Sequence, residues 1–268
     1  NANTKLGIDL SATYNDRGYT VKSPDGNIVY IAGWEGQNNS GFVAKMYMDG
    51  SFPNWYKRVN LGVGARFTDI DLDGSGNLYL GADYRGVSTF IGVLKMDANG
   101  NIIWSTKFQG LSNDRNNVSC VRVINNLLYV GGRGSFDGYD TGQFGDGCLL
   151  RYDLNGNLQK QYNFFTAELV DDKCGERIEG ILPYNNGLIL IGETWPEFSG
   201  IDGRWYIPSG TSTSNSPGIT TITNPTMVSG AGFLTTNSMS LNTLNQQVYN
   251  PSSGSQGSAD ILITHISQ

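Results

Sequence analysis

The sequence predicts an all-β fold, a single small propeller of four blades spanning residues 1–268, and three observations carry that expectation. Glycine is abundant, at 36 of 268 residues, while charged residues make up only 16% of the chain. Long helices and helical bundles need the opposite balance. Pairs of strand-like segments recur along the chain, each pair joined by a polar turn. The two chain ends, laid together, supply the half-repeat that the rest of the sequence lacks.

The recurring inner hairpin reads YTVKSPDGNIVYIAG at 19–33, FTDIDLDGSGNLYLG at 67–81, VSCVRVINNLLYVGG at 118–132 and RIEGILPYNNGLILIG at 177–192. Each is a strand, a turn built from Asp, Asn and Gly, and an apolar strand closed by glycine. A second hairpin follows three of them: FVAKMYMDGS from Phe42, GVLKMDANGN from Gly92 and CLLRYDLNGN from Cys148. Each of these carries one cation (Lys45, Lys95, Arg151) and ends at Asp-Gly or Asn-Gly, dipeptides suited to a two-residue hairpin. The strands after those turns are NWYKRV, IIWSTKF and LQKQYNF, with Trp55 and Trp104 in similar places. Arg17 and Arg66 lie 49 residues apart, and a four-stranded propeller blade repeats at roughly 40–50 residues.

The fourth inner hairpin has no outer hairpin directly after it. The C-terminal ILITHIS fills the place of the third strand and the N-terminal TKLGIDL that of the fourth, which closes a ring and hides sheet edges. In this alignment His265 falls with Met46, Met96 and Tyr152, a packing position. Residues 196–258 form an insertion rich in Ser, Thr, Asn and Gly. Its AGFLTTNSMSLNTLNQQVYN stretch resembles an outer hairpin, so a degenerate fifth blade is the alternative architecture.

The phrases VLKMDANGNIIWS and GNLYLGADY resemble the bacterial β-propeller repeat of the SBBP type, found in secreted and surface proteins. The resemblance implies a propeller scaffold. It implies no catalytic residue, since that repeat is a framework and a fold shared by many activities names none.

In such a blade the loops entering it and the loops linking its two hairpins emerge at one end. That end is the elaborated one here, through 133–147 (RGSFDGYDTGQFGDG) and the insertion, and loops on a rigid scaffold concentrate binding residues. Arg17, Arg66, Arg115 and Arg177 each precede an innermost strand at that end. Asp16, Asp114 and Glu176 precede three of them, and Glu35, Asp83 and Glu193 follow the closing glycine of three second strands. One reading is a charged rosette holding a carboxylate or sulfate through bidentate arginine contacts. The other is a set of ion pairs that hold neighbouring strands in register. Aromatics on the same end are Trp34, Tyr84, Phe136, Tyr139, Trp195, Trp205 and Tyr206, which either stack on sugar rings or cover the sheet ends.

Other chemistry is sparse. No cofactor is implied. Residues 137–146 interleave three acids with glycines, as either a calcium loop or a flexible polar loop. Residues 71–76 begin like a calcium loop, but Ala82 stands where a bidentate Glu belongs. The single histidine removes most zinc sites. Cys120 and Cys148 read as buried free thiols, with a bridge between them as the alternative. No nucleophile elbow or phosphate loop is present, and the Asp-box of sialidase propellers fails at Asp25–Gly26 for want of a residue between them.

A net charge of −6 disfavours a grip on nucleic acid or anionic lipid. No apolar run is long enough to span a bilayer. Asn1 reads as a processed end. The expectation is a non-enzymatic binding or adhesion module, extracellular, on a cell surface or virion, meeting a surface glycan or a protein partner, with a homo-oligomer or larger assembly open to it. The alternatives are a structural subunit of a virion or filament and a carbohydrate-active enzyme.

Overall fold

The computed structural model describes residues 4–9, 16–36, 39–47, 55–61, 64–84, 90–108, 116–134, 146–166, 174–185, 187–196, 205–206, 220–221, 226–230, 233–238 and 260–267. These residues form antiparallel β-structure with no helix. The strands are β1 (Thr4–Asp9), β2 (Arg17–Lys22), β3 (Ile28–Glu35), β4 (Ser40–Tyr47), β5 (Trp55–Asn60), β6 (Ala65–Leu72), β7 (Leu78–Tyr84), β8 (Ile91–Met96), β9 (Ile102–Phe108) and β10 (Asn117–Ile124). They continue with β11 (Leu127–Gly134), β12 (Asp146–Asp153), β13 (Leu158–Thr166), β14 (Cys174–Tyr184), β15 (Gly187–Pro196), β16 (Trp205–Tyr206), β17 (Thr220–Thr221), β18 (Thr226–Gly230), β19 (Phe233–Ser238) and β20 (Asp260–Ser267).

The first sheet runs β2-β3-β4-β5-β18, the second β6-β7-β8-β9-β17 and the third β10-β11-β12-β13-β16. The fourth runs β14-β15-β20, and β1 pairs with β19 in a separate ribbon. Thus β20 takes the third-strand place expected of ILITHIS, in unbroken register with β15 from Gly187↔Ser267 to Thr194↔Asp260. That register puts His265 opposite Ile189, the place held by Lys45 opposite Tyr30, Lys95 opposite Tyr79 and Arg151 opposite Tyr129. The sequence alignment was one residue out, and a slip of one moves a side chain to the other face of a strand. Among the described residues β1 pairs with Phe233–Ser238 rather than with β20.

The insertion contributes strands at the sheet edges. β16 joins β13, β17 joins β9 and β18 joins β5, so the chain visits the outer edges of the third, second and first sheets in turn. An outer edge is a row of unpaired backbone groups, and an added strand satisfies them.

Each inner hairpin carries a β-bulge at one equivalent point: between Gly18 and Thr20, Phe67 and Asp69, Val118 and Cys120, and Ile178 and Gly180. The residue looped out is Tyr19, Thr68, Ser119 or Glu179. Bulges add twist and re-aim side chains.

The short turns are not all the two-residue type expected. Asn125 and Asn126, with φ of 51° and 60°, make such a turn between Ile124 and Leu127. In the D-x-x-G-N turns starting at Asp73, Asp97 and Asp153, the glycine amide bonds back to the aspartate carbonyl and the aspartate amide to the asparagine carbonyl. This is a three-residue loop with a glycine bulge, and it needs positive φ at the glycine. Gly76, Gly100 and Gly156 have φ of 79°, 79° and 90°. The aspartate carboxylate caps the loop by accepting from the backbone amides two and four residues on and from the asparagine side chain.

Consecutive sheets pack through three cores. Tyr30, Ala32 and Val43 meet Phe67, Ile70 and Leu80; Tyr79 and Val93 meet Val118, Val121 and Val130; Cys120 and Tyr129 meet Ile178, Ile181 and Leu190. Strands β8 and β12 are buried on both faces, which is why VLKM and CLLRY read as continuous apolar runs rather than alternations. Trp55 and Trp104 fasten neighbouring sheets: each indole rests on a turn glycine of the next sheet, Gly100 and Gly156. Their Nε1–H groups donate to the carbonyls of Ala98 and Leu154.

Candidate binding face and its charged network

From β6 onward one end of the sheets is closed by tight turns, and at the other end the second strands of the first, second and fourth sheets carry an acid, Glu35, Asp83 and Glu193, where the third carries Arg133. Cross-strand register there sets Arg66 opposite Asp83 and Arg177 opposite Glu193. Arg17 lies opposite Trp34 instead, and Asn117 opposite Arg133. The third repeat therefore carries Asn117 where the others have arginine, because its bulge lies between Val118 and Cys120. Arg115 and Tyr139 lie outside the described residues, as do Asp114, Phe136 and the 137–145 part of the acidic loop.

Each acid of the expected set is held by an arginine. Asp83, 4% exposed, accepts from Arg66 Nη2 at 2.7 Å and Nε at 3.2 Å through Oδ2. Its Oδ1 accepts the Val118 amide of the next sheet at 2.6 Å. Arg66 also lies over the ring of Tyr19, 5.4 Å from its centroid. Glu35 is fully buried and is gripped by Arg58 of β5 through two guanidinium nitrogens, with the Tyr56 hydroxyl donating at 3.1 Å. Burial, with the Glu35 charge beside it, pushes the Tyr56 phenol well above its usual range. Arg177 bridges Glu193 at 2.8 Å and Glu179. Arg17 is exposed on β2.

The cation that holds Glu35 is not one of the four arginines singled out in the sequence. The fourth strand supplies Glu35's cation instead, and Arg58 in NWYKRV gave no signal beyond being a cation on an outward strand. Glu179 was hidden because it is the looped-out residue of a bulge. Burial raises the Glu193 pKa, and a hydrogen bond with Glu179 adds to this while Arg177 opposes it.

A second network joins the first strands of successive sheets. Asp69 accepts from the Thr20 hydroxyl of β2 at 3.0 Å, the Val121 amide at 2.9 Å and Arg122 at 2.6 Å. Asp71 pairs with Lys22 at 2.5 Å and accepts the Val123 amide at 2.8 Å. The alternating acids of FTDIDL were the legible sign: two carboxylates two residues apart share one strand face.

The aromatics divide. Trp34 donates from Nε1 to Asn39 at 3.0 Å. Tyr84 ends β7 opposite Ala65, and Trp195 lies near the end of β15 opposite Gly175. Trp205 and Tyr206 pair with Thr166 and Phe165 at the outer edge of the third sheet, away from the first strands that carry the arginines. Cys120 and Cys148 are both free and buried. Among the described residues no group of three or more His, Cys, Asp or Glu is placed to hold a metal ion. No known family model matches this chain, and no curated protein matches it in sequence.

Proposed function

We propose that the four repeats form a four-bladed β-propeller that acts as a non-enzymatic binding or adhesion module. It works outside the cell, on a cell surface or a virion, and meets a surface glycan or another protein. The observation that carries this reading is the inequality of the two sheet ends. At one end the connections are two to five residues long from β6 onward, in the spans 73–77, 97–101, 125–126, 154–157 and 185–186. At the other they run to 85–90, 109–116, 135–145 and 167–173, and on to the 197–259 segment. Length spent on one end of a rigid scaffold is characteristic of a recognition surface.

The arginine clamps on Glu35, Asp83 and Glu193 support a scaffold role for those acids. Arg17, exposed on β2 at that end, is proposed to meet the ligand. One observation favours a carbohydrate-active enzyme as the second reading: Glu179 and Glu193 share the guanidinium of Arg177, and a pair of neighbouring carboxyls can carry out glycoside hydrolysis.

A glycan-array screen of the chain, with and without chelator, followed by mass spectrometry of captured sugar, tests both. An intact bound glycan supports the binding module, and its loss on chelation assigns calcium to 137–146. A shortened glycan that persists with wild type and vanishes with Glu193→Gln moves the function to the enzyme. No binding across the array refutes glycan recognition and leaves a protein partner or a structural subunit.

A further inference from the structure

The packed junctions share a size rule. A small residue on the second strand of one sheet (Gly81, Gly131) meets a large residue on the first strand of the next (Val118, Ile178), and at the first junction Ala32 shares a core with Phe67, whose ring lies against Gly41 of β4. A Cβ built on Gly81 falls 3.3 Å from the Val118 Cβ, and one on Gly131 falls 3.3 Å from the Ile178 Cβ. Register identifies the corresponding positions of the fourth and first sheets. Ile191, opposite Gly180, stands where Gly81 is opposite Asp69 and Gly131 opposite Cys120. Gly18, on the leading side of its bulge, stands where Phe67, Val118 and Ile178 do. The rule is inverted: the large residue is on the fourth sheet and the small one on the first.

The same faces carry two exposed apolar side chains, Val21 and Leu182. Val21 is 65% exposed, whereas its equivalents Ile70, Val121 and Ile181 are 1%, 0% and 1% exposed. Leu182 on β14 is 50% exposed, and its equivalents Lys22, Asp71 and Arg122 are the charged links of the other junctions. The first sheet also bears a small cluster, Phe42, Ala44 and Tyr56 with Ile31, on this side. Gly18 has no positive φ and only Ile31 near an added Cβ, at 3.6 Å, so nothing local requires glycine there.

We propose that the Ile191 face of the fourth sheet seats on the Gly18–Val21 face of the first, Ile191 filling the hollow over Gly18. The occupant is the chain's own other end. Two unlike, complementary faces on one molecule either close on each other or build open chains of copies. Here the single inverted pair matches one sheet to the other within the repeat order. The inference rests on the ring part of the reading above and is independent of any ligand.

The test uses the full chain with Cys174→Ser. Gly18→Val and Ile191→Gly each lower the melting temperature by several degrees, and the double variant, which restores the size rule of the other three junctions, recovers most of the loss. Additive losses overturn the Ile191–Gly18 pairing. In the variant Gly18→Cys/Ile191→Cys the two Cβ atoms come within the separation a disulfide takes. Mild oxidation is expected to give a faster-migrating, intramolecularly linked monomer. A concentration-dependent ladder assigns the face to a second copy, and no link refutes the contact. Maleimide labelling of Val21→Cys reads closure by itself. Protection together with additive losses keeps the ring and rejects this pairing, and rapid labelling rejects the ring.

Discussion

Three turns of one sequence type provide an internal control on what fastens the sheets. Gly76, Gly100 and Gly156 occupy the same place in D-x-x-G-N loops and share a positive φ. Replacing any of them with alanine forces a left-handed conformation on a residue with a Cβ, which costs about 1–2 kcal/mol. The surroundings differ. The nearest atom to a Cβ on Gly76 is the Ala98 Cβ at 3.9 Å, an ordinary contact, whereas at Gly156 it is the Trp104 ring at 2.9 Å. The indole is also held by its bond to Leu154 and is not free to swing. Overpacking of this kind adds about 1–3 kcal/mol. Gly76→Ala is therefore expected to cost about 1 kcal/mol and Gly156→Ala about 3 kcal/mol, read as the difference in urea midpoint at constant m. In a Trp104→Ala background the steric part of the Gly156 effect disappears and the conformational part stays. Equal costs at Gly76 and Gly156, or an unchanged Gly156 cost without Trp104, would refute the latch.

Other expectations follow from the same contacts. Asp83→Ala removes the acceptor of the buried Val118 amide, while Asp83→Asn keeps it; the alanine variant is expected to be about 1–3 kcal/mol less stable in denaturant. Burial raises the carboxyl pKa of Asp73, Asp97 and Asp153, but their asparagine and backbone hydrogen bonds outweigh it and leave each below 3.8. A carboxyl lowered on folding stabilises above its unfolded pKa, and that contribution is lost as pH falls through the folded value. Acid titration should therefore show stability falling below about pH 4, and the triple Asp→Asn variant should be weaker at pH 6 with a shallower acid limb. Burial pushes the Cys120 thiol up to about 12 and Cys148 higher still. Since the thiolate is the reactive form, a thiol reagent should leave both unmodified in the native protein and modify both after unfolding; fast native labelling of either contradicts the cores described.

The inner hairpins were legible because each announces itself twice, by a polar turn and by a closing glycine at the end of an apolar strand. The third-strand place of β20 was legible because the fourth inner hairpin lacks an outer hairpin directly after it and ILITHIS is the apolar run left to fill it. The register of His265 was not, because ILITHIS alternates well enough to fit two frames and only the pairing with β15 selects one. The bulges left no compositional mark, so Asn117 and Glu179 escaped notice and Arg115 was taken for a repeat position. The edge strands of the insertion were invisible: WY and TT are too short for any period, and what defines them is the open edge they meet. The acids were found together with Arg66 and Arg177, which pair with Asp83 and Glu193, but the partner of Glu35 was not, since Arg58 lies on a strand two removed from it in the sheet.

The course of the insertion has a consequence for how the molecule assembles. β1 is synthesised before the other described strands, yet its partner β19 is made more than two hundred residues later. The edge of β5 likewise waits for β18 until the main strands of three sheets and one more hairpin have been synthesised. Closing contacts between such distant segments is slow because the loop entropy comes due before the contacts reward it. β1 thus finds its place late, and a nascent chain halted short of residue 233 would carry it without its partner in the described pairing.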